Sequence, residues 1–162
     1  MRHPCFPADR LELEITESMM MGDVDQVSST LKRLQDTGVT ISMDDFGTGY
    51  SSLALLKRLP IQTLKIDRSF ITSLEENTQD SAFISAILSM AKQLGLHVVT
   101  EGVESQEQLE ILRGLGGNEV QGFVFSPPLG SAAFLDLLKG QIPLGGITLS
   151  TAQPEISDSS SQ

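Results

Sequence analysis

Residues 39–49 read VTISMDDFGTG and join a short β-rich run to two adjacent carboxylates and a glycine-rich turn. The run from Val39 to Met43 is typical of a short strand. Asp44 and Asp45 are two like charges side by side, and such a pair is harder to explain as a helix cap than a single carboxylate is. This stretch therefore predicts a strand followed by a loop built around an ion.

The same order of strand and helix recurs on both sides of this stretch. Leu11 to Thr16 alternates apolar and polar residues, which predicts a strand, and the apolar spacing from Val24 to Leu34 predicts an amphipathic helix that ends near Gly38. This alternation predicts a parallel sheet of about five strands with helices outside it. The other predicted strands are 63–66, 96–100 and 120–125, and the other predicted helices are 51–59, 80–94, one that begins with a capping box at Ser105 and Gln108, and 131–138.

Polar side chains recur near the carboxyl end of each predicted strand. Ligands bind at that edge in α/β folds, so these side chains are expected to meet in one site. Carboxylates that converge are stable together when a cation neutralises them or when they share a proton, and oxygen ligands alone favour Mg²⁺ or Mn²⁺. Capping of helices and turns is the alternative role for each single residue. The residues are Glu14, Glu17, Asp44, Asp45, Lys65, Asp67, Glu101 and Gln121.

Composition and charge exclude several classes of function. The 162 residues are enough for one domain, and their net charge of −10 is unfavourable for binding DNA, RNA or an anionic membrane surface. The single cysteine, Cys5, forms no internal disulfide, and no apolar run reaches the roughly 18 residues of a membrane span. The first residues also lack the apolar core of a signal peptide. A cytoplasmic protein is therefore expected.

Five short motifs, taken in order, resemble the EAL-type cyclic di-GMP phosphodiesterase domains. The resemblance extends from Leu11 to Leu138 and implies a TIM-like (β/α) barrel that hydrolyses cyclic di-GMP to linear pGpG with Mg²⁺ or Mn²⁺ as cofactor. It also implies that residues 1–139 are the carboxyl-terminal portion of such a domain, and composition predicts that residues 140–162 form a flexible tail. The motifs are LEITES at 13–18, DDFGTGYSSL at 44–53, LKID at 64–67, EGVE at 101–104 and QGF at 121–123.

The resemblance assigns metal-binding and catalytic roles to five residues. Glu14 and Asp44 resemble metal ligands of the family, and Asp45 resembles a ligand of a second metal. Lys65 resembles the lysine beside the catalytic water. Glu101 resembles the glutamate that acts as the general base or supports it. Independently of the family, a lysine among acids could hold a phosphate oxygen or orient a water.

Further residues match the substrate side of the family's site and its dimer contact. Asp67 and Gln121 resemble residues that line the site, and Pro128 resembles the proline of its substrate-binding edge. Glu17 resembles the glutamate that anchors the loop after Asp-Asp-Phe-Gly. That loop and the following helix, residues 46–59, correspond to the family's usual dimer contact, so a homodimer is expected.

The sequence also departs from the family pattern. No Glu-Ala-Leu or Glu-Val-Leu occurs in it, and none of the ten residues before Leu11 is the metal-binding asparagine of the family. Pro127 stands where the family usually has a basic residue that contacts substrate. A closed eight-stranded barrel typically takes about 250 residues. The expected fold is therefore an incomplete TIM-like barrel that begins at the family's fourth strand.

Two functional hypotheses follow. The first is cyclic di-GMP hydrolysis that requires the missing strands, with an upstream or separate regulatory domain as partner. The second is a catalytically inactive EAL-like module that binds nucleotide or protein. An unrelated open α/β sheet with a phosphate site is discarded, because five ordered motif matches would have to arise by chance.

Overall fold

The strands form one parallel sheet in the order in which they occur along the chain. The computed structural model describes residues 6–20, 23–49, 53–75, 78–117 and 119–140, so the tail predicted at 140–162 lies outside the described residues except for Gly140. Within these residues β1 and β5 each pair on one side only, so the sheet is open. This confirms the prediction of five parallel strands. The strands are β1 Glu12–Thr16, β2 Thr40–Phe46, β3 Thr63–Ile66, β4 His97–Glu101 and β5 Glu119–Gln121.

Helices connect the strands, as parallel neighbours require. Asp23 caps the start of α1, because its carboxylate accepts hydrogen bonds from the backbone N–H groups of Asp25 and Gln26. The predicted capping box of Ser105 and Gln108 marks the start of α4. None of the helices in the described part of the chain is long and apolar enough to cross a bilayer. The helices are α1 Val24–Gln35, α2 Leu53–Leu56, α3 Thr78–Leu94, α4 Gln106–Gly114 and α5 Ser131–Leu138.

The chain divides into two compact units, Met1–Val124 and Phe125–Gln162. The first contains the whole sheet and α1 to α4. The second contains α5, in which Phe134, Leu135 and Leu138 are exposed. The predicted domain boundary after residue 139 stays a prediction.

The two faces of the sheet differ in polarity because side chains alternate along each strand. One face is apolar, and Ile41, Met43, Leu64 and Ile66 on it are fully buried. α1 packs against β2 and α3 against β4. The residues that alternate with the apolar ones are mostly polar, and they include Glu14 in β1, Asp44 in β2, Lys65 in β3 and Glu101 in β4. The fold therefore collects the strand-end polar residues on one face.

Two predicted strand ends are wrong. β2 continues to Phe46 instead of ending at Met43, and its pairing with β3 shifts register between Met43 and Phe46, so Asp44 and Asp45 lie inside the strand. β5 ends at Gln121, although the apolar residues after it predicted a strand to 125. The cause is the turn at Gly122, where a Cβ would lie 2.0 Å from the Val103 carbonyl oxygen.

The end of α2 also differs from the prediction. The sequence predicts a helix over 51–59, whereas the helix that is described spans only Leu53–Leu56. Residues 51 and 52 lie outside the described residues. After Leu56 the chain turns and reaches Pro60, which cannot donate a helical hydrogen bond.

Candidate active site

Lys65 lies at the centre of the polar cluster at the carboxyl ends of the strands. Its Nζ is 2.5 Å from Oε1 of Glu14 and 2.6 Å from Oε1 of Glu101, and it is 3.7 Å from Oδ1 of Asp44. The Lys65 side chain is only 8% exposed, while the Glu14 side chain is 51% exposed. Residues from four adjacent strands thus meet around one ammonium group.

The carboxylates around Lys65 keep it charged. Burial alone would lower the pKa of Lys65, but hydrogen bonds to Glu101 and Glu14, together with the charge of Asp44, raise that pKa above its ordinary value. The ammonium group in turn reduces the repulsion among the three carboxylates. Lys65 is therefore the internal counter-ion of this acidic site.

Asp45 joins the same cluster because the backbone of β2 is irregular at this point. Its φ of 55° lies in the left-handed region, which is uncommon for a residue other than glycine, and its N–H donates to Oδ1 of Asp44 at 3.0 Å. Partial burial and the charge of Asp44 raise the pKa of Asp45. The charges of Asp67 and Glu14 act in the same direction, whereas the positive charge of Lys65 lowers the pKa of Asp45.

Asp67 also has a local structural role. Its Oδ1 accepts a hydrogen bond from the backbone N–H of Ser69 at 3.0 Å and caps the short 3₁₀ turn Arg68–Phe70. Burial would raise the pKa of Asp67, but the hydrogen bonds from Ser69 outweigh it and lower that pKa. Asp67 therefore caps a turn, which was the alternative role that the sequence left open for each of these residues. Glu14, Asp44 and Glu101 instead converge on Lys65.

Glu17 contacts the loop that follows β2. It is 7% exposed, and its Oε2 accepts a hydrogen bond from the N–H of Gly49 at 3.3 Å. Its Oε1 is buried and has no hydrogen-bond partner among the described residues. A Cβ on Gly49 would lie 2.6 Å from this oxygen, so a side chain at position 49 would require the Glu17 carboxylate to shift.

An aromatic pair supports the other side of this loop. The rings of Phe70 and Phe83 stack with their centroids 4.6 Å apart. Gly47 has a φ of 99°, and a Cβ on it would lie 2.9 Å from the Phe70 ring. Sequence reasoning missed both phenylalanines, because apolar residues in these segments are equally typical of an ordinary core.

Two further residues were predicted for the site, Gln121 and Pro128. Gln121 is exposed at the end of β5 and pairs in register with Glu101. Pro128 is exposed and belongs to the second compact unit. Its substrate contact stays a prediction.

The acidic residues have the donor chemistry of a magnesium or manganese site, because carboxylate oxygens suit hard divalent cations. Within the described residues, however, no group of three or more His, Cys, Asp or Glu side chains is close enough to hold a metal ion. The ammonium of Lys65 occupies the centre of the cluster instead. The ligand types therefore have the chemistry that a divalent cation prefers.

Sequence reasoning also missed the full role of Gln108. The sequence predicts it only as the partner of Ser105 in the capping box. In the structure its amide nitrogen also donates to the carbonyl oxygen of Ile71, which belongs to the segment after β3. A partner 37 positions away along the chain carries no local sequence signal.

Several proteins of known name are similar to this chain in sequence or in structure. The chain is 50% identical over 135 residues to the cyclic di-GMP phosphodiesterase NbdA of Pseudomonas aeruginosa, and the match covers 83% of this chain and 17% of NbdA. The PaMucR phosphodiesterase, solved as a c-di-GMP complex, is 46% identical with a TM-score of 0.75, and the match covers 80% of this chain and 52% of that one.

A second similar structure was solved with a metal. BlrP1 of Klebsiella pneumoniae, in a manganese and cyclic di-GMP complex, is 33% identical with a TM-score of 0.71, and the match covers 76% of this chain and 31% of that one. The chain thus spans well under two thirds of each of these proteins. The EAL domain family model matches residues 3–128, which is most of the sequence. This chain therefore belongs to the EAL domain family.

Proposed function

We propose that this chain supplies the strand ends of an active site for metal-dependent hydrolysis of cyclic di-GMP to linear pGpG. The observation that carries the proposal is the contact of Lys65 with carboxylates from three other strands, at 2.5 Å, 2.6 Å and 3.7 Å. A buried lysine among acids is a costly arrangement for stability alone, and such clusters are typical of functional sites. The similarity to proteins named as cyclic di-GMP phosphodiesterases supports the same substrate.

Each residue of the cluster then has a distinct task. Glu14 and Asp44 would hold one divalent cation and Asp45 a second, and Mg²⁺ or Mn²⁺ there would supply polarisation of the phosphodiester and a lower pKa of bound water. Glu101 accepts the proton of the attacking water. Lys65 orients that water or a phosphate oxygen through its ammonium donors, and Asp67 and Gln121 line the substrate side. Glu17 holds the loop after β2 in place.

Additional polypeptide would complete the site. β1 and β5 have free edges among the described residues, and the sequence contains no Glu-Ala-Leu. Exposed strand edges are sites of association, so another segment or another protein that supplies strands would cover them. A cytoplasmic location and an upstream or separate regulatory domain belong to this proposal as well.

The metal assignment is tested by calorimetry. We expect Mg²⁺ and Mn²⁺ to bind the 162-residue chain weakly, because the ligand shell is incomplete. The double variant Asp44→Asn, Asp45→Asn should raise the dissociation constant by about tenfold or more. The double variant Asp9→Asn, Asp36→Asn is the matched control, since it removes the same charge from two exposed aspartates away from the cluster. Equal binding by the two double variants would contradict the assignment.

A homodimer through residues 46–59 is the second part of the proposal. Leu53 supports it, because its side chain is 56% exposed on a short helix next to the loop. We expect light scattering to show a dimer that forms with rising concentration and is lost in Leu53→Glu. Leu34→Glu, at an exposed leucine of α1, is the control and should still pair. A strict monomer of the native chain at high concentration would exclude this interface.

The inactive binding module is the other candidate function. The absence of Glu-Ala-Leu from the sequence favours it. The two candidates differ in one result, namely whether metal-dependent pGpG appears when the missing strands are supplied.

A further inference from the structure

The side chain of Gln108 bridges two segments that follow neighbouring strands. It lies in the first turn of α4 and is 8% exposed. Its Oε1 accepts hydrogen bonds from the N–H groups of Glu104 at 2.8 Å and Ser105 at 3.2 Å. Its Nε2 donates to the carbonyl oxygen of Ile71 at 3.2 Å. One amide thus joins the turn after β4 to the segment after β3.

The turn that Gln108 holds begins directly after Glu101. Gly102 has a φ of 73°, and a Cβ on it would lie 2.3 Å from the Cβ of Arg68, so this turn packs closely against the segment after β3. Val103 is fully buried. Its N–H donates to the carbonyl oxygen of Gln121, and its own carbonyl oxygen accepts from Val124.

We infer that Gln108 is a positioning residue for Glu101. Oε1 of Glu101 lies 2.6 Å from Nζ of Lys65 on the neighbouring strand. The chain continues from Lys65 to Ile71 and from Glu101 to Glu104. The Gln108 amide ties these two continuations together and so fixes the register of the two side chains. This inference rests on the proposed function, in which Glu101 accepts a proton.

Helix capping alone does not account for the bridge. A capping box needs only an acceptor at this position, and glutamate serves as well as glutamine. The donor to Ile71 is the additional element, and without it the buried carbonyl oxygen of Ile71 keeps only the backbone N–H of Leu74 as a donor. Catalysis is sensitive to such a loss, because a misplacement of about 1 Å can cost about 100-fold in rate.

Two variants separate the bridge from the cap. Gln108→Glu keeps the capping acceptor and removes the donor to Ile71. Ser105→Ala is the matched control, because it removes the capping hydroxyl, together with the hydrogen bond from that hydroxyl to Glu75, and leaves the Gln108 side-chain amide in place. Gln108→Met, which buries no charge, replaces Gln108→Glu if circular dichroism shows that Gln108→Glu does not fold.

Amide hydrogen exchange on the 162-residue chain is the first measurement. In Gln108→Glu we expect the Val103 and Val124 amides to exchange about tenfold faster, because their hydrogen bonds lie in the turn that has lost its bridge. In Ser105→Ala the Val103 and Val124 amides should keep their native exchange rates. The backbone N–H of Gln108 should exchange faster, because it loses its acceptor, the Ser105 hydroxyl. Native rates for Val103 and Val124 in Gln108→Glu would overturn the inference.

Steady-state kinetics is the second measurement, made on the chain joined to the amino-terminal part of an EAL domain. Gln108→Glu should lower kcat by about 10- to 100-fold with little change in KM, whereas Ser105→Ala should leave both near native values. An equal fall of kcat in the two variants would overturn the positioning role. If the joined enzyme with native residues is inactive, the proposed function fails, and the exchange rates alone decide whether Gln108 holds the turn.

Discussion

The 162-residue chain alone is expected to form no more than a trace of pGpG from cyclic di-GMP, whereas the same chain joined to the amino-terminal part of an EAL domain should turn the substrate over. The sheet is open, and fewer than three acidic side chains group closely enough for a metal within the described residues. A cation held by too few ligands cannot be kept in the geometry that metal-assisted hydrolysis needs. Because positional errors near 1 Å can cost about 100-fold, absent ligands should cost more.

Activity of the joined enzyme should depend on the Lys65 cluster. Glu101→Gln should lower kcat by about 10²- to 10⁴-fold, the usual contribution of a general base. Glu110→Gln is the control, because it makes the same substitution at an exposed position of α4, and it should leave kcat unchanged. The assay is metal-dependent formation of pGpG, followed by chromatography.

Each outcome of this assay decides between the two candidate functions. Robust turnover by the 162-residue chain alone would show that the interpretation of the missing ligands is wrong. No turnover by the joined enzyme would favour the inactive binding module. In that case Pro127 is the first position to replace with a basic residue, because it stands where the family usually has one.

Replacement of Lys65 should have the largest effect on stability. Lys65→Met leaves the carboxylates of Glu14, Asp44 and Glu101 without their counter-ion. Removing one partner of a buried ion pair costs about 3–5 kcal/mol, and the partial exposure of these carboxylates reduces the expected loss to about 2–3 kcal/mol. Denaturant unfolding of the native chain and of Lys65→Met measures this difference in the free energy of unfolding.

A divalent cation should recover part of that stability. Mg²⁺ or Mn²⁺ can replace the lost positive charge among the same carboxylates. The denaturant concentration at the unfolding midpoint should therefore rise more with added metal for Lys65→Met than for the native chain. Lys57→Met, at an exposed lysine after α2, is the control and should change stability little. Equal stability of the two lysine variants would show that Lys65 is not the counter-ion of the cluster.

Most of the fold could be predicted from local patterns. Alternating polarity predicted β1, helical spacing predicted α1 and α3, and the capping box marked the start of α4. The wrong predictions concern the ends of β2, β5 and α2. β5 ends at Gln121 because Gly122 packs against the backbone of Val103, and that contact joins residues 19 positions apart in the sequence.

The sequence by itself determined which residues stand at the carboxyl ends of the strands, because polarity with a period of two and the motif order depend only on neighbours along the chain. Only the tertiary structure decided which of them meet. Glu14 and Lys65 are 51 positions apart, and their contact depends on the parallel order of β1, β2 and β3. The bond from Gln108 to Ile71 likewise depends on how two turns pack. Strand register and packing arise from burial of the whole apolar face, and no single stretch of sequence encodes them.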